Sequence, residues 1–468
     1  MSTTLLPAGE WAQQEFGLAQ LGDARRTRRL VTVVTNLAQS PGGTLPQAMP
    51  KWSEAKAAYR FLNQPTNTPD KIQAPHRERT RQECRQPGEY LLIEDTTELD
   101  YTNHPATQEL GKIGDGNGRG LLVHNTLAVR IEAWSLEQRP EGLAVGLFGQ
   151  QIWNRTGPSH RQSKEQWRER MQRPRESQRW AAVLEETGGP PPGSQWIWLA
   201  DREADFYEPI ERCQRHKVDF VIRSYHRRAL ADGQGHLPST VAQAPVMGRM
   251  SVAMRARAGQ PARTATVTVR SCAVTVKGPW RPHGQQPDLS FNVVEAREEC
   301  PPEGVEPLHW ILITSLPVSR WVEVQRVLGL YAARWWIEEY HKALKTGAGV
   351  EESQLERAYR LESLVSVLSV VAVRLLNTKW LARTQGDKLV DLRMLGAEAW
   401  IILTTKYKKP ETGWTYQATL IAIARLGGFL ARKGDGLPGW QTIWRGWRRL
   451  IVMAEALEIV NYTPKRCG

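Results

Sequence analysis

A chain of 468 residues with 41% hydrophobic and 24% charged residues has an ordinary globular composition and enough length for about three domains. That balance excludes a disordered or collagen-like chain, and a formal net charge of +13 makes a large polyanion the expected partner, because neutralising phosphates supplies most non-specific nucleic-acid affinity. Five scattered cysteines without a CxxC pair argue against a disulfide framework or a zinc site, and the absence of a G-x-x-x-x-G-K-[ST] loop argues against the use of ATP.

The start, MSTTLLPAGEWAQQEF, has no basic end followed by an apolar stretch and does not read as a secretory signal. The first seventy residues read as helical. Trp11, Phe16, Leu18 and Leu21 lead into Arg25, Arg26, Arg28 and Arg29, with Asp23 placed to cap a helix start. Four clustered arginines fit either a solvated face or a contact with DNA phosphates.

From Tyr90 the pattern turns to β-rich runs, YLLIEDT and LLVHNTLAVRIEAW, joined through GDGNGRG. Gly116, Gly118 and Gly120 suggest a phosphate loop only superficially; with no helix pattern after them they predict a strand-connecting turn. Residues 155–190 are polar, basic and expected to be helical, leading through Gly188 to Pro192 into the strand WIWLAD. A helix-like EADFYEPIERCQ and a strand DFVIRS follow, and alternating segments between 232 and 316 predict an inserted β-sheet. One long amphipathic helix is expected from Trp321 to about Gly347, and the remainder reads mainly as helices. The least polar run, Leu364 to Val373, spans only ten residues, includes Ser366 and Ser369, and reads as too short to cross a bilayer. A soluble, intracellular protein with no membrane partner is expected.

The chemistry gathers around three carboxylates. Asp95 is expected to end the strand Tyr90 to Glu94, and Asp201 the strand Trp196 to Ala200, although a single Asp so placed is more often a turn or cap residue. In YAARWWIEEYHKALK, at about 100° per residue, Tyr331, Arg334, Glu338 and Lys345 fall within a sector of about 60°. That face carries a phenol, a guanidinium, a carboxylate and an ammonium. An exposed stripe of ion pairs such as Arg334 with Glu338 would explain it, but so would a phosphodiester grip beside a metal-binding carboxylate. Asp95, Asp201 and Glu338 together have the oxygen donors to hold two divalent cations for in-line phosphoryl displacement.

The segments LLIEDTTELDY, WLADREADFYEPI and YAARWWIEEYHKALKTGAG resemble those of the DDE transposases of bacterial insertion sequences, within the insertion-sequence-four family. Tyr331, Arg334, Glu338 and Lys345 match that family's Tyr-x2-Arg-x3-Glu-x6-Lys signature, and further segments resemble it in order from LGDARRTRRLV to IAIARLGGFLARKGDG. The resemblance implies an α/β, ribonuclease-H-like (retroviral-integrase-like) catalytic core at 71–380 with a β insertion at about 232–316. It also implies a helical DNA-binding domain at 1–70 and a helical dimerisation domain at 381–468. A cut-and-paste transposase is expected from it, one that binds double-stranded inverted-repeat ends as a homodimer, cleaves them through a hairpin intermediate and joins the 3′ ends to target DNA. Asp95, Asp201 and Glu338 would be both catalytic and metal-binding, with two Mg2+ ions for which Mn2+ substitutes, and Asp95 shared between them. Tyr331, Arg334 and Lys345 would hold phosphates, Trp310 would stack a flipped base, and Arg223 would contact DNA in the same pocket. Work on DNA implies a bacterial cytoplasmic protein associated with the nucleoid. The alternatives are a nuclease of the same fold that does not join ends, and a non-catalytic DNA-binding inhibitor.

Overall fold

The computed structural model describes residues 6–135, 139–155, 176–233, 235–254, 262–281, 284–408, 410–411 and 413–461, so most of the basic segment expected to be helical, 156–175, lies outside the described residues. The chain opens on helices Ala8–Phe16, Ala24–Gln39, Leu45–Ala48 and Trp52–Leu62. Asp23 caps the second, its side chain accepting from the Arg25 amide at 2.8 Å and satisfying one of the donors that a helix start leaves unpaired. Leu30, Val33, Val34 and Leu37, spaced by three and four, bury one stripe of that helix. Arg25, Arg26, Arg28 and Arg29 crowd its first turns, where the helix dipole disfavours positive charge, so helix stability does not account for them.

After the helix Pro69–Cys84 come the strands β1 (Gly88–Asp100), β2 (Gly111–Ile113), β3 (Gly118–Trp134) and β4 (Pro140–Trp153), then β5 (Ser194–Ala200) and β6 (Asp219–Arg223). The turn between β2 and β3 uses Gly114 and Gly116 at φ +58° and +96°, a region that side chains disfavour. β7 (Val246–Met254), β8 (Arg263–Val276), β11 (Leu289–Glu298) and β12 (His309–Thr314) follow, while β9 (Trp280–Arg281) and β10 (Gly284–Gln285) form a separate two-stranded ribbon. The rest form one mixed ten-stranded sheet in which β3 takes β4 and β2 on one side, and the order then runs β3-β1-β5-β6-β12-β11-β8-β7. The β1–β5 and β5–β6 pairs are parallel, and every other strand pairing among the described residues is antiparallel. The strands between 246 and 314 therefore extend the same sheet through β12.

Side chains alternate between two cores, one on each face. Leu91, Ile93, Ile197, Leu199, Val221 and Leu312 join the core shared with the N-terminal and C-terminal helices, while Tyr90, Leu92, Trp196, Trp198, Phe220 and Ile313 join a second core on the opposite face. The 27-residue helix Ala358–Thr384 runs through the first core. It is longer than its ten-residue apolar run suggested, and by length and composition it would suffice to cross a membrane, but 83% of its most apolar window is buried inside the protein. Helices Tyr416–Leu426 and Trp440–Asn461 pack closely because Gly427 and Gly446 present no side chain; a Cβ at either would lie within 1.9 Å of a backbone carbonyl oxygen on the facing helix.

Candidate active site

Strand parity decides which residues share the site. Asp95 continues the Leu91, Ile93 series, Asp201 the Ile197, Leu199 series, Arg223 follows Val221, and Trp310 precedes Leu312, so all four belong to the face of the first core. Asp95 does not end its strand as expected, since β1 runs on to Asp100. What ends near it is the parallel pairing: Ile93 opposite Leu199 is the last β1–β5 pair, whereas β1 stays paired with β3 as far as Asp100. Asp95 thus stands where the sheet splits, rigid on one side and open on the other. Asp201 follows directly after β5 and caps a 3-10 turn, Arg202–Ala204, accepting from the Glu203 amide at 2.8 Å.

The expected single helix over Trp321–Gly347 is instead two helices and a π turn: Trp321–Ala333, Trp335–Lys342 and Ala343–Gly347. Around Arg334 the backbone bonds tighten to the i→i−3 pattern, from Arg334 N to Tyr331 O and from Ile337 N to Arg334 O, both at 3.1 Å. At the far end the Ala348 amide reaches the Ala343 carbonyl, five residues back, at 2.7 Å. The widened turn removes Lys345 from the regular α spacing assumed for it, and its ammonium pairs with Glu351 at 3.4 Å.

Arg334 joins two of the carboxylates, Nη2 donating to Glu338 Oε1 at 2.7 Å and Nη1 lying 3.5 Å from Asp95 Oδ2. Burial works against the charge of Arg334, but Tyr331, Asp95, Glu338 and Asp201 outweigh it and push its pKa up. Asp95, 17% exposed, is pushed up to about 7; burial is the main cause and the neighbouring Asp201 adds to it, while Arg334 and the Thr96 amide pull the other way. Glu203 is raised by burial and then by Asp201, which brings a fourth acid to the cluster. Asp95 and Glu338 thus share one guanidinium, and Asp201 lies near enough to raise Asp95. Among the described residues, no three His, Cys, Asp or Glu side chains approach closely enough to enclose an ion.

Beside the acids, the Trp310 ring meets Tyr331 edge-on at 5.2 Å, and Arg223 Nη2 donates to the His309 carbonyl at 3.2 Å from the adjacent strand. Tyr331 is buried, and burial raises its pKa while Arg334 and Arg223 lower it. The structure therefore brings together Asp95, Asp201, Glu338, Arg334, Tyr331, Trp310 and Arg223. Lys345 lies further along, at the C-terminal end of β1, where its partner Glu351 also accepts from the Asp100 amide at 3.0 Å. Arg25 and Arg26 lie elsewhere, bonded to Asp23 and to Thr66, and among the described residues no hydrogen bond or ion pair links the arginine cluster to the acids.

Sequence reasoning missed Glu203, for which the only signal was its place two residues after Asp201. It also missed Asn125 and His341. Asn125 is the cross-strand partner of Asp95, and its Nδ2 lies 3.2 Å from His341 Nε2, one helical turn beyond Glu338.

Two stretches of the chain match known families. Residues 8–66 match the family described as transposase DNA-binding, and residues 370–463 match the family described as the transposase Tn5 dimerisation domain.

Proposed function

The chain belongs to the Tn5-like transposases, and from that premise we propose that it is a cut-and-paste enzyme whose catalytic acids are Asp95, Asp201 and Glu338. The observation that carries the proposal is the approach of Asp95 and Asp201, on the sheet face with Arg223 and Trp310, to the helices that carry Tyr331, Arg334 and Glu338. The five-strand unit β4-β3-β1-β5-β6, in which only β3 runs against the others, supports a ribonuclease-H-like core at 71–380. The match at 8–66 supports a DNA-binding domain near residues 1–70, and the match at 370–463 supports a homodimer formed through the C-terminal helices. Acting on DNA, the enzyme would work in the bacterial cytoplasm.

The donors suit hard divalent cations. Three carboxylates supply only oxygen, and Asp95, raised by burial and by Asp201, gains most from a nearby positive charge. Two Mg2+ ions, or Mn2+ in their place, would activate the attacking oxygen and stabilise the leaving one. Arg334 neutralises Asp95 and Glu338 in the DNA-free chain, and with cations present it turns to a phosphate oxygen. Tyr331 orients that phosphate, Lys345 grips the backbone further along, and Trp310 stacks the base flipped from the transposon end with Arg223 beside it. Arg25, Arg26, Arg28 and Arg29 hold the duplex through its phosphates.

Incubating the protein with pre-cut transposon ends and target DNA in Mg2+ tests the reading. Joined product is expected from the native chain and none from Asp95→Asn or Glu338→Gln. Hydrolysis without any joining would overturn it in favour of a nuclease of this fold.

A further inference from the structure

A row of polar side chains crosses the buried face of the sheet beside the acids. Asp95, Asn125 and Gln150 are direct neighbours on β1, β3 and β4, since Asn125 is the registered partner of both. Asn125, Gln150, Gln73 and His341 are all buried. Their hydrogen bonds run in one direction. Gln73 Nε2 donates to Gln150 Oε1 at 2.8 Å and to the Ser366 carbonyl at 2.8 Å, and Gln150 Nε2 donates to Asn125 Oδ1 at 2.6 Å and to Ser369 Oγ at 2.9 Å. With its oxygen engaged, the Asn125 amide must present its N–H groups, to the Val123 carbonyl at 3.4 Å and to His341 Nε2 at 3.2 Å. His341 accepts there only as neutral imidazole, and its burial, together with Lys345 and Arg334, keeps it neutral by pushing its pKa down to about 3.

An apolar pair would pack the helix Trp335–Lys342 on the sheet without fixing its rotation. A buried acceptor three residues from Glu338, meeting a donor on the residue opposite Asp95, fixes where the helix sits along the strand, because slippage would leave both polar groups buried and unpaired. Resting on the three-carboxylate reading above, we infer that Asn125 and His341 are positioning residues that set the spacing of Glu338 from Asp95, with Gln150 and Gln73 holding the Asn125 amide in its donating orientation. Such supports around metal-binding acids are worth roughly 10–100-fold in metal affinity.

Mn2+ alone is titrated into the full-length protein and followed by its electron paramagnetic resonance signal, with thermal melting measured alongside. Asn125→Ala and His341→Leu are expected to weaken Mn2+ binding about tenfold while the protein stays folded. His341→Gln, whose carbonyl oxygen can accept from Asn125, stays within about threefold of the native chain on the same scale. A purely structural role lowers the melting temperature and leaves Mn2+ affinity unchanged in the folded protein, which would overturn the inference. If Asn125→Ala does not fold, equal Mn2+ affinities for His341→Gln and His341→Leu overturn it alone. Asp95→Asn separates the two levels: native-like Mn2+ binding in that variant removes the three-carboxylate reading itself, whereas loss there with native-like binding in Asn125→Ala removes only the positioning role.

Discussion

Glu94 and Asp95 are consecutive acids on one strand, and they live in opposite worlds. Glu94 faces the second core, 1% exposed, with its oxygens saturated: Thr126 Oγ1 donates at 2.8 Å, the Ala181 amide at 2.7 Å, and His124 Nε2 lies 3.4 Å away. Asp95 faces the helix of Glu338, accepts the amide of its own neighbour Thr96 at 2.9 Å, and accepts from Arg334 Nη1 only at the long distance of 3.5 Å. A buried acid with both oxygens hydrogen-bonded is part of the fold. One left short of partners beside another acid is held ready for a ligand. Strand alternation alone separates the two roles.

The sharpest way to break this contrast is to neutralise each acid in turn. Asp95→Asn should cost about a thousandfold or more in end cleavage, roughly 4 kcal/mol of barrier, and leave thermal stability unchanged or slightly higher. Glu94→Ala should do the reverse, lowering unfolding free energy by about 3 kcal/mol as Ala181 and Thr126 lose their acceptor, with cleavage per folded molecule largely kept. Denaturant unfolding and single-turnover cleavage on both variants decide it. If the two profiles come out alike, parity does not sort function from structure on this strand.

Trp310 extends the comparison to an aromatic on the Asp95 face. Half-buried against Tyr331, it is neither fully packed nor solvent-exposed. Trp310→Ala should weaken binding of the transposon end by about 1–3 kcal/mol, measured by fluorescence anisotropy on matched duplexes, with little change for unrelated DNA. An equal loss on both DNAs would make it a packing residue like the aromatic side chains of the opposite core.

Much of this was legible in the residues. The apolar runs in YLLIED and WIWLAD placed two acids at the ends of strands, and the Tyr331, Arg334, Glu338 spacing placed the third among basic and phenolic groups. The end of β1 was misjudged because TTELD is polar, yet Thr97 and Leu99 continue the buried alternation and β3 pairs the strand as far as Asp100. The tightening at Arg334 and the π turn after Lys342 left no mark in the periodicity, since a helical pattern does not distinguish i→i−3, i→i−4 and i→i−5 bonding over one turn. Asn125 and His341 lie 216 positions apart, so no local pattern could join them.

His341 is the case that mixes the two kinds of environment, a buried and satisfied group on the functional face. Its neighbours with charge are Lys345, Arg334 and His124, and with burial they push its pKa down from 6.5 to about 3. The folded protein therefore holds it neutral while the unfolded chain takes up a proton below pH 6.5. Unfolded protein binding more protons means that stability falls as pH falls, and this contribution declines through the window from about 6.5 toward 3 by at most about 1.4 kcal/mol per pH unit. Comparing unfolding free energies of the native chain and His341→Gln at pH 7, 6 and 5 isolates it, because Gln does not titrate. The native chain should lose more stability on acidification than the variant, and parallel pH curves would show that His341 is hydrated rather than sealed beneath Glu338.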